Sequence, residues 1–219
     1  MVQAELKKII ILGASGSSLD ILPIIDQINS KKPQYKFVGF LDNDLSKVNI
    51  KYKDKVLGSF ENIDNFNGYY FSIGIGNEKN FKLRKKIIED IKIPIKFFPN
   101  IIHPTAIVNK DIKIGKGNII HSHVTISRDV EISNFVNILP KVTINHDVKI
   151  NSYSIINSNT ILSGDIEIGE SCYLGQGSNF RDHISVGEKT LVGMGSVVTK
   201  NLNKNSIYIG NPAKIYIKK

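Results

Sequence analysis

Residues 144–174 read INHDVKINSYSIINSNTILSGDIEIGESCYL, and this stretch decides the fold of the larger part of the 219-residue chain. A large aliphatic side chain stands at every sixth place, and the series continues in both directions without a break. Four places after each member the side chain is mostly small or β-branched, as in Val148 and Thr160. The complete series is Ile102, Val108, Ile114, Ile120, Ile126, Ile132, Ile138, Ile144, Ile150, Ile156, Leu162, Ile168, Leu174, Phe180, Val186, Val192 and Val198.

A strict period of six excludes an α-helix, because residues six apart lie on opposite faces of a helix with 3.6 residues per turn. Antiparallel strands joined by turns would not stay in phase over so many units. A unit of one short strand and one corner does stay in phase when three units close a triangular coil, whose strands stack about 4.8 Å apart. The period therefore predicts a coil over roughly residues 102–200. Gly and Asn often follow the aliphatic position, as at Gly115 and Asn145, and these residues tolerate positive φ or tight bending there.

The first hundred residues alternate between strand and helix patterns, which predicts a small parallel sheet with crossover helices. We expect a first domain over residues 1–99 and a second over residues 100–219. The predicted strands are 8–12, 35–41 and 69–75, with a short strand that runs to 97, and the predicted helices are 19–28 and 79–90.

Three segments follow the predicted strands, at 13–16, 42–44 and 76–77. The carboxyl ends of parallel strands are where such sheets bind ligands. A turn with Gly13, Ser15 and Gly16 follows the first strand, and it lets phosphate approach the backbone at the start of a helix. Asp42 and Asn43 end the second strand, and a carboxylate there suits a ribose or a base edge. Gly13-x-x-Gly16 is shorter than the full dinucleotide fingerprint, so a tight turn without ligand explains it as well. A strand-terminal cap is the other explanation for Asp42.

Taken together, these segments resemble a known group of enzymes. The GASG turn at 13–16, the FLDND segment at 40–44, the IGN segment at 75–77 and the closing IGNPAK at 209–214 are similar to the hexapeptide-repeat sugar acetyltransferases. These include the nucleotide-amino-sugar N-acetyltransferases of the bacillosamine and perosamine type and the sialic acid O-acetyltransferases. The resemblance spans nearly the whole chain and implies that the coil is a left-handed parallel β-helix after a Rossmann-like α/β domain.

The resemblance also implies a homotrimer that uses acetyl-CoA and a nucleotide-linked sugar. The nucleotide sugar is expected at Gly13, Ser15, Gly16, Asp42, Asn43, Gly76 and Asn77. This chain has additional residues at 78–80 before the basic helix, which changes the loop after Asn77.

His146 corresponds to the general base of the resembling family, and its neighbour Asp147 to the carboxylate that accompanies it. A solvated surface histidine is the alternative for His146, and adjacent residues on a strand would face opposite ways. Gly164 lies one coil of 18 residues later, where the family's glycine donates its N–H to the thioester oxygen. A corner glycine kept for geometry is the alternative. Family members often have a second histidine nine residues after the base, and this chain has Ile155 there. His123 is the next candidate for the base.

Coenzyme A is expected along the later coils and the tail. The candidate residues are Gly164, through its N–H to the thioester, and Gly175, Gly193, Gly195, Ser196, Pro212, Ala213 and Lys214, although the glycines also suit ordinary coil sequence. His121, His123 and His183 lack the spacing of the zinc-binding trimers of this fold, so no metal is expected. Cys172 is interpreted as a core residue, and a single cysteine suits a reducing compartment.

The composition narrows the function further. The net charge of +9 favours a phosphate-bearing partner, but the lysines are scattered, so nucleic acid is not expected. No apolar stretch reaches the roughly 18 residues of a membrane span, and we expect a cytoplasmic protein. The expected activity is N-acetylation of a nucleotide-linked amino sugar in bacterial glycan precursor synthesis. The alternatives are O-acetylation of sialic-acid-like or other glycans, and a non-catalytic trimeric scaffold that binds nucleotides.

Overall fold

A computed structural model describes residues 5–14, 16–44, 46 and 50–217. Its N-terminal part is a four-stranded parallel sheet in the order β3-β2-β1-β4. The strands are β1 (Lys7–Leu12), β2 (Tyr35–Leu41), β3 (Val56–Gly58) and β4 (Tyr70–Ile73), and the helices are α1 (Ile21–Lys31) and α2 (Arg84–Asp90). Helix α1 buries isoleucines spaced one helical turn apart against this sheet: Ile21, Ile24, Ile25 and Ile28. In the described part of the chain, no helix is long and apolar enough to cross a bilayer.

The alternation of strands and helices is confirmed, but four local predictions differ from the structure. Strand β3 was not anticipated, because three residues with lysines before them give no apolar pattern. Helix α1 begins at Ile21 rather than at residue 19, and it ends at Lys31. The basic helix is shorter than expected, since a separate 3₁₀ turn precedes α2. The predicted strand that ends at Phe97 is wrong: Ile95–Phe97 is a 3₁₀ turn, closed by the Phe97 N–H donating to the Pro94 carbonyl at 3.0 Å.

The second part is a coil of two-residue strands followed by two strands of the tail. These are β5 (Ile101–Ile102), β6 (Ile107–Val108), β7 (Lys113–Ile114), β8 (Ile119–Ile120), β9 (Thr125–Ile126), β10 (Glu131–Ile132), β11 (Asn137–Ile138), β12 (Thr143–Ile144), β13 (Lys149–Ile150), β14 (Ile155–Ile156), β15 (Ile161–Leu162), β16 (Glu167–Ile168), β17 (Tyr173–Leu174), β18 (Asn179–Phe180), β19 (Ser185–Val186), β20 (Leu191–Val192), β21 (Val197–Val198), β22 (Ile207–Ile209) and β23 (Lys214–Ile215).

From β5 to β18, each coil strand pairs in parallel with the strand 18 residues later, as Thr143 does with Ile161. The strands form three sheets, which are the three faces of the triangular coil. The docked face, against which the N-terminal sheet packs, consists of β5, β8, β11, β14, β17, β20, β22 and β23. The uncharged face consists of β6, β9, β12, β15, β18 and β21. The charged face consists of β7, β10, β13, β16 and β19. The predicted sixfold series points inward, and from Ile120 onward every member is buried. The predicted fold, a small parallel sheet followed by a left-handed parallel β-helix, is confirmed.

Of the two roles considered for the residue one place after the aliphatic position, positive φ is wrong. Positive φ angles lie three places after the inward aliphatic residue, as at Asp147 (φ 60°) and Tyr153 (φ 65°), and not one place after it. Thirteen described residues other than glycine have positive φ, most of them at this corner position. The glycine one place after the aliphatic residue is needed because a side chain there would collide with the next coil. A Cβ on Gly169 would lie 2.5 Å from the Glu188 nitrogen in the next coil.

The N-terminal sheet packs against the docked face and the corner beside it. Ile101 and Ile119 belong to the same buried cluster as α1. We call the corner between the charged and docked faces the aromatic corner. There Phe135 stacks on Tyr153 with ring centroids 5.6 Å apart and also meets Phe98 edge to face. This contact fixes which side of the coil carries the N-terminal sheet.

Candidate functional site

The carboxyl edge of the N-terminal sheet opens into a crevice of about 1040 Å³. This volume suits a ligand of nucleotide-sugar size. The structure brings together the predicted residues that it describes there, which are Gly13, Gly16, Asp42, Asn43, Gly76 and Asn77. Ser15 lies outside the described residues. The sequence did not point to Phe60 and Glu61, which also line the crevice, because they follow the unpredicted strand β3.

Asp42 holds the turn that follows the first strand. Its Oδ2 accepts the Ala14 N–H at 2.7 Å, and its Oδ1 accepts the Asp44 N–H at 2.8 Å. The strand-terminal cap considered for Asp42 is therefore present. Each carboxylate oxygen has a second lone pair, so the cap leaves acceptor capacity toward the crevice. The carboxylate joins two crevice loops.

Asparagine side chains fix the other crevice loops in the same way. Asn43 Oδ1 accepts the Phe60 N–H at 2.8 Å. In the loop after β4, Asn80 Oδ1 accepts the Asn77 N–H at 2.7 Å, and Asn77 Oδ1 accepts the Lys79 N–H at 2.9 Å. The additional residues at 78–80 thus form a closed turn at the crevice edge, with Gly76 (φ 139°) in a backbone conformation that favours glycine.

His146 and Asp147 lie at the corner between the uncharged and charged faces, which we call the base corner. His146 Nδ1 is 2.7 Å from Asp147 Oδ2, and both side chains are about half exposed. The expected opposition of adjacent side chains does not apply, because the pair occupies a turn in which Asp147 has positive φ. A carboxylate on Nδ1 leaves Nε2 as the free ring nitrogen when Nδ1 carries the proton.

Gly164 lies directly above this histidine. A Cβ on Gly164 would be 2.6 Å from His146 Cε1 and 2.8 Å from Nε2, so any side chain there would displace the ring from its present position. Gly164 does not have positive φ, and the backbone itself does not require glycine there. Among the described residues no acceptor is found for its N–H. A free N–H next to a histidine nitrogen is the arrangement that stabilises an oxyanion while a proton is removed nearby.

Ile155 is on the docked face, away from the base corner. It is 2% exposed, and its Cδ1 lies 2.6 Å from the place of a Cβ on Gly76. Ile155 is therefore part of the contact between the coil and the crevice loop.

Apart from Gly164 at the base corner, the predicted coenzyme A residues lie at the corner between the docked and uncharged faces, which we call the glycine corner. Gly175 and Gly193 stack one coil apart, and a Cβ on Gly193 would meet Ile209 of the tail at 2.7 Å. The tail returns over this corner through a cis Asn211–Pro212 bond, and the Ala213 N–H donates to the Val197 carbonyl.

The remaining predicted residues at this corner differ in exposure. Gly195 has positive φ and open space around it, while Lys214 is exposed in β23. Ser196 is fully buried, and its Oγ accepts the Gly210 N–H at 3.1 Å, so it offers no surface to a ligand.

The other histidines have different surroundings. His183 Nδ1 lies 2.7 Å from Asp165 Oδ2 at the base corner, and this hydrogen bond, with Asp182 nearby, raises the pKa of His183. His121 is 4% exposed, and burial lowers its pKa to about 4. Cys172 is buried in the core as expected, and burial raises its pKa to about 12. The described residues contain no group of three or more His, Cys, Asp or Glu side chains suited to a metal.

Comparison with known proteins supports the fold of both parts of the chain. Residues 8–91 match the family model described as the PglD N-terminal domain. The acetyltransferase domain of PglB from Neisseria gonorrhoeae superposes with a TM-score of 0.81 at 23% identity, over 96% of this chain and 100% of that one. The resemblance is confirmed. No curated protein matches the sequence significantly.

Two further solved structures extend the likeness. PerB from Caulobacter crescentus, solved with CoA and GDP-perosamine, has a TM-score of 0.81 at 22% identity, over 97% of this chain and 98% of that one. WeeI from Acinetobacter baumannii has a TM-score of 0.67 at 20% identity, over 96% of this chain and 100% of that one. The shared fold therefore includes both the N-terminal sheet and the coil.

Proposed function

We propose that this protein is an acetyl-CoA-dependent N-acetyltransferase that acts on the amino group of a nucleotide-linked sugar. The observation that carries the proposal is the contact between Gly164 and the imidazole of His146, which in turn meets Asp147 at 2.7 Å. A relative of the same fold, PerB, is solved with CoA and GDP-perosamine. The crevice at the sheet edge supplies a place for a nucleotide sugar, and the coil supplies the chemistry.

The reaction follows from these groups. The neutral amine of the sugar attacks the thioester carbonyl carbon, and His146 Nε2 accepts the proton that the amine loses. Asp147 accepts the Nδ1–H and stabilises the imidazolium that forms. The Gly164 N–H donates to the carbonyl oxygen as it becomes negative. The carbon–sulfur bond then breaks, coenzyme A leaves as a thiolate and takes up a proton, and the amide remains on the sugar.

The crevice and His146 lie on different sides of one chain. The crevice loop rests on the docked face through Gly76 and Ile155, whereas the base corner is the corner opposite that face. A single copy therefore does not place a crevice-bound amine beside its own His146. A second copy has to supply one of the two, which supports the expected homotrimer with the site at a seam.

The surface of the coil supports the same assembly. The charged face has outward Lys113, Glu131, Lys149 and Glu167 in alternation, with Lys113 and Glu131 paired at 2.7 Å. The outward positions of the uncharged face carry no charge, and they include Ile107 and Ile161, which are 68% and 42% exposed. This face also lies between the base corner and the glycine corner. We infer that it packs against a second copy and brings Gly175, Gly193, Gly195 and the tail at 212–214 of one copy toward His146 of the next.

An assay of free thiol release from acetyl-CoA tests the proposal directly. The acceptors are nucleotide-linked 4-amino sugars with different nucleotides, the matching free amino sugars, and sialic-acid-like hydroxyl acceptors. We expect turnover with a nucleotide-linked amine far above that with the free sugar, because binding of the nucleotide positions the amine. Equal turnover with free sugars or hydroxyl acceptors would favour O-acetylation, and no turnover with any acceptor would favour the non-catalytic scaffold. A cytoplasmic location remains the expectation for an enzyme of this substrate class.

A further inference from the structure

Arg84 is the most deeply buried charged side chain at the contact between the N-terminal sheet and the coil. It is 1% exposed and stands at the first residue of α2. It has no salt-bridge partner among the described residues, and burial lowers its pKa to about 10. Removing an unpaired guanidinium from water is unfavourable, so the site is one that ordinary packing would fill with an apolar side chain.

The hydrogen bonds of Arg84 join the two parts of the molecule. Its Nε donates to the Ile75 carbonyl at 2.9 Å, at the residue just before Gly76 of the crevice loop. Its Nη1 donates to the Phe135 carbonyl at the aromatic corner of the coil. Its Nη2 is buried and has no hydrogen-bond partner in the part of the chain that the structure describes. One planar group thus fixes the backbone of a crevice loop to the backbone of the coil.

Gly76 has a second support on the apolar side. A Cβ on Gly76 would lie 2.6 Å from Ile155 Cδ1 and 3.0 Å from Arg84 Cδ. The loop is therefore seated between Arg84 and Ile155, with no room for a side chain. Arg84 does not line the crevice, so it does not touch a ligand there.

We propose that Arg84 is a positioning residue, which sets where the crevice, and the sugar bound in it, stands relative to the coil. The proposal rests on the proposed function for its kinetic consequence, but its structural part does not depend on it. Because misplacement of about 1 Å far from the chemistry can lower a rate by 10²-fold, loss of this link should lower kcat rather than abolish nucleotide binding.

Arg84→Met tests this link. We expect kcat with the nucleotide-linked amino sugar to fall about 10- to 100-fold. The Kd values for acetyl-CoA and for nucleoside diphosphates should stay within about threefold, since the groups that line those sites are unchanged. The melting temperature should change little, because the relief of an unpaired buried charge is offset by the loss of two hydrogen bonds to backbone carbonyls. Hydrogen exchange at residues 74–80 should become faster while exchange in β1 stays the same.

Two further variants complete the experiment. Lys85→Met is the matched control, since it removes the neighbouring half-exposed pair with Glu170 (2.9 Å) across the same contact, and its kcat should stay within about twofold. Arg84→Lys keeps the charge but loses the planar guanidinium, so kcat should fall in part. This variant also tests the proposal if Arg84→Met does not fold.

The outcomes separate this inference from the proposed function. Wild-type kcat and wild-type exchange at 74–80 in both Arg84 variants would overturn it. A lower melting temperature with joint loss of acetyl-CoA and nucleotide binding would show a merely structural role and overturn it as well. If the wild-type protein transfers no acetyl group, the proposed function fails, and the exchange measurement alone decides the role of Arg84.

Discussion

The coil and the N-terminal sheet place their functional residues by different means. On the coil, His146 and Gly164 meet because they are 18 residues apart, and backbone hydrogen bonds between successive coils keep that register. In the crevice, residues from separate loops meet because side chains cap backbone groups of other loops, as Asp42 does for Ala14 and Asn43 for Phe60. A substitution on the coil should therefore remove one chemical group, whereas a substitution in the crevice should disturb several loops at once.

The largest effect is expected from His146→Ala. Loss of a general base should lower turnover by roughly 10²–10⁴ while acetyl-CoA still binds. Steady-state kinetics and a binding titration measure the two effects. His183→Ala is the matched control, because His183 forms a similar pair with Asp165 at the same corner and is 70% exposed. A large loss of turnover in His183→Ala with little loss in His146→Ala would show that His183, and not His146, is the base.

Gly164→Ala should lower kcat by about 10²–10³, because the new methyl group meets the His146 ring and displaces it from the oxyanion donor. Gly169→Ala is the control, since its Cβ meets backbone of the next coil at 2.5 Å but lies away from His146. Thermal unfolding of both variants shows how much of any loss comes from the coil itself. Equal kinetic losses in the two variants would remove the special role of Gly164.

Asp42→Ala should weaken nucleotide-sugar binding about 10- to 100-fold and leave acetyl-CoA binding almost unchanged. The carboxylate accepts two backbone N–H groups in the crevice, and each charged hydrogen bond contributes about 1.5–3 kcal/mol. Isothermal titration with nucleoside diphosphates and with acetyl-CoA measures both. Equal weakening of the two ligands would contradict the separation of the crevice from the coil.

His121 should make stability depend on pH without affecting catalysis at neutral pH. Its pKa in the folded protein is about 4, below the ordinary 6.5, so the unfolded chain binds the proton more tightly. Stability is full above about pH 7 and falls as the pH drops through 6.5 toward 4. Between pH 7 and 5 the wild-type protein should lose about 2 kcal/mol more than His121→Gln. Urea unfolding at both pH values measures this, and equal losses would show that folding does not lower the pKa of His121.

The sequence predicts the coil more completely than the crevice because its signal repeats. The sixfold series from Ile102 to Val198 gives the stacking, the inward residues and the position of Gly164 above His146. The series does not show whether a glycine such as Gly115 or Gly169 is required by lack of space or by a positive φ angle. Glycine satisfies both requirements. The pairing of His146 with Asp147 was uncertain for a related reason, as it depends on a turn φ that no periodicity reports.

In the N-terminal part the missing elements were short or lacked a pattern. Strand β3 has only three residues, and the crevice residues after it were therefore not found. Arg84 was not singled out either, because it lies among lysines in a helix that reads as exposed and basic. Its only signal is that it is an arginine in a chain with three of them. The hydrogen bonds of Arg84 become visible only when α2 is placed against the coil.

The contact between Gly76 and Ile155 also fixes the position of the crevice along the coil axis. Ile155 follows His146 by nine residues, which is half of one coil, and one coil rises about 4.8 Å. The crevice edge therefore stands within roughly half that rise, about 2.4 Å, of the level of His146 along the coil axis. If copies were related by rotation about an axis parallel to the coil, without translation along it, the crevice of one copy would stand level with His146 of the next. Such an arrangement closes on itself and repeats the same complete site at every seam.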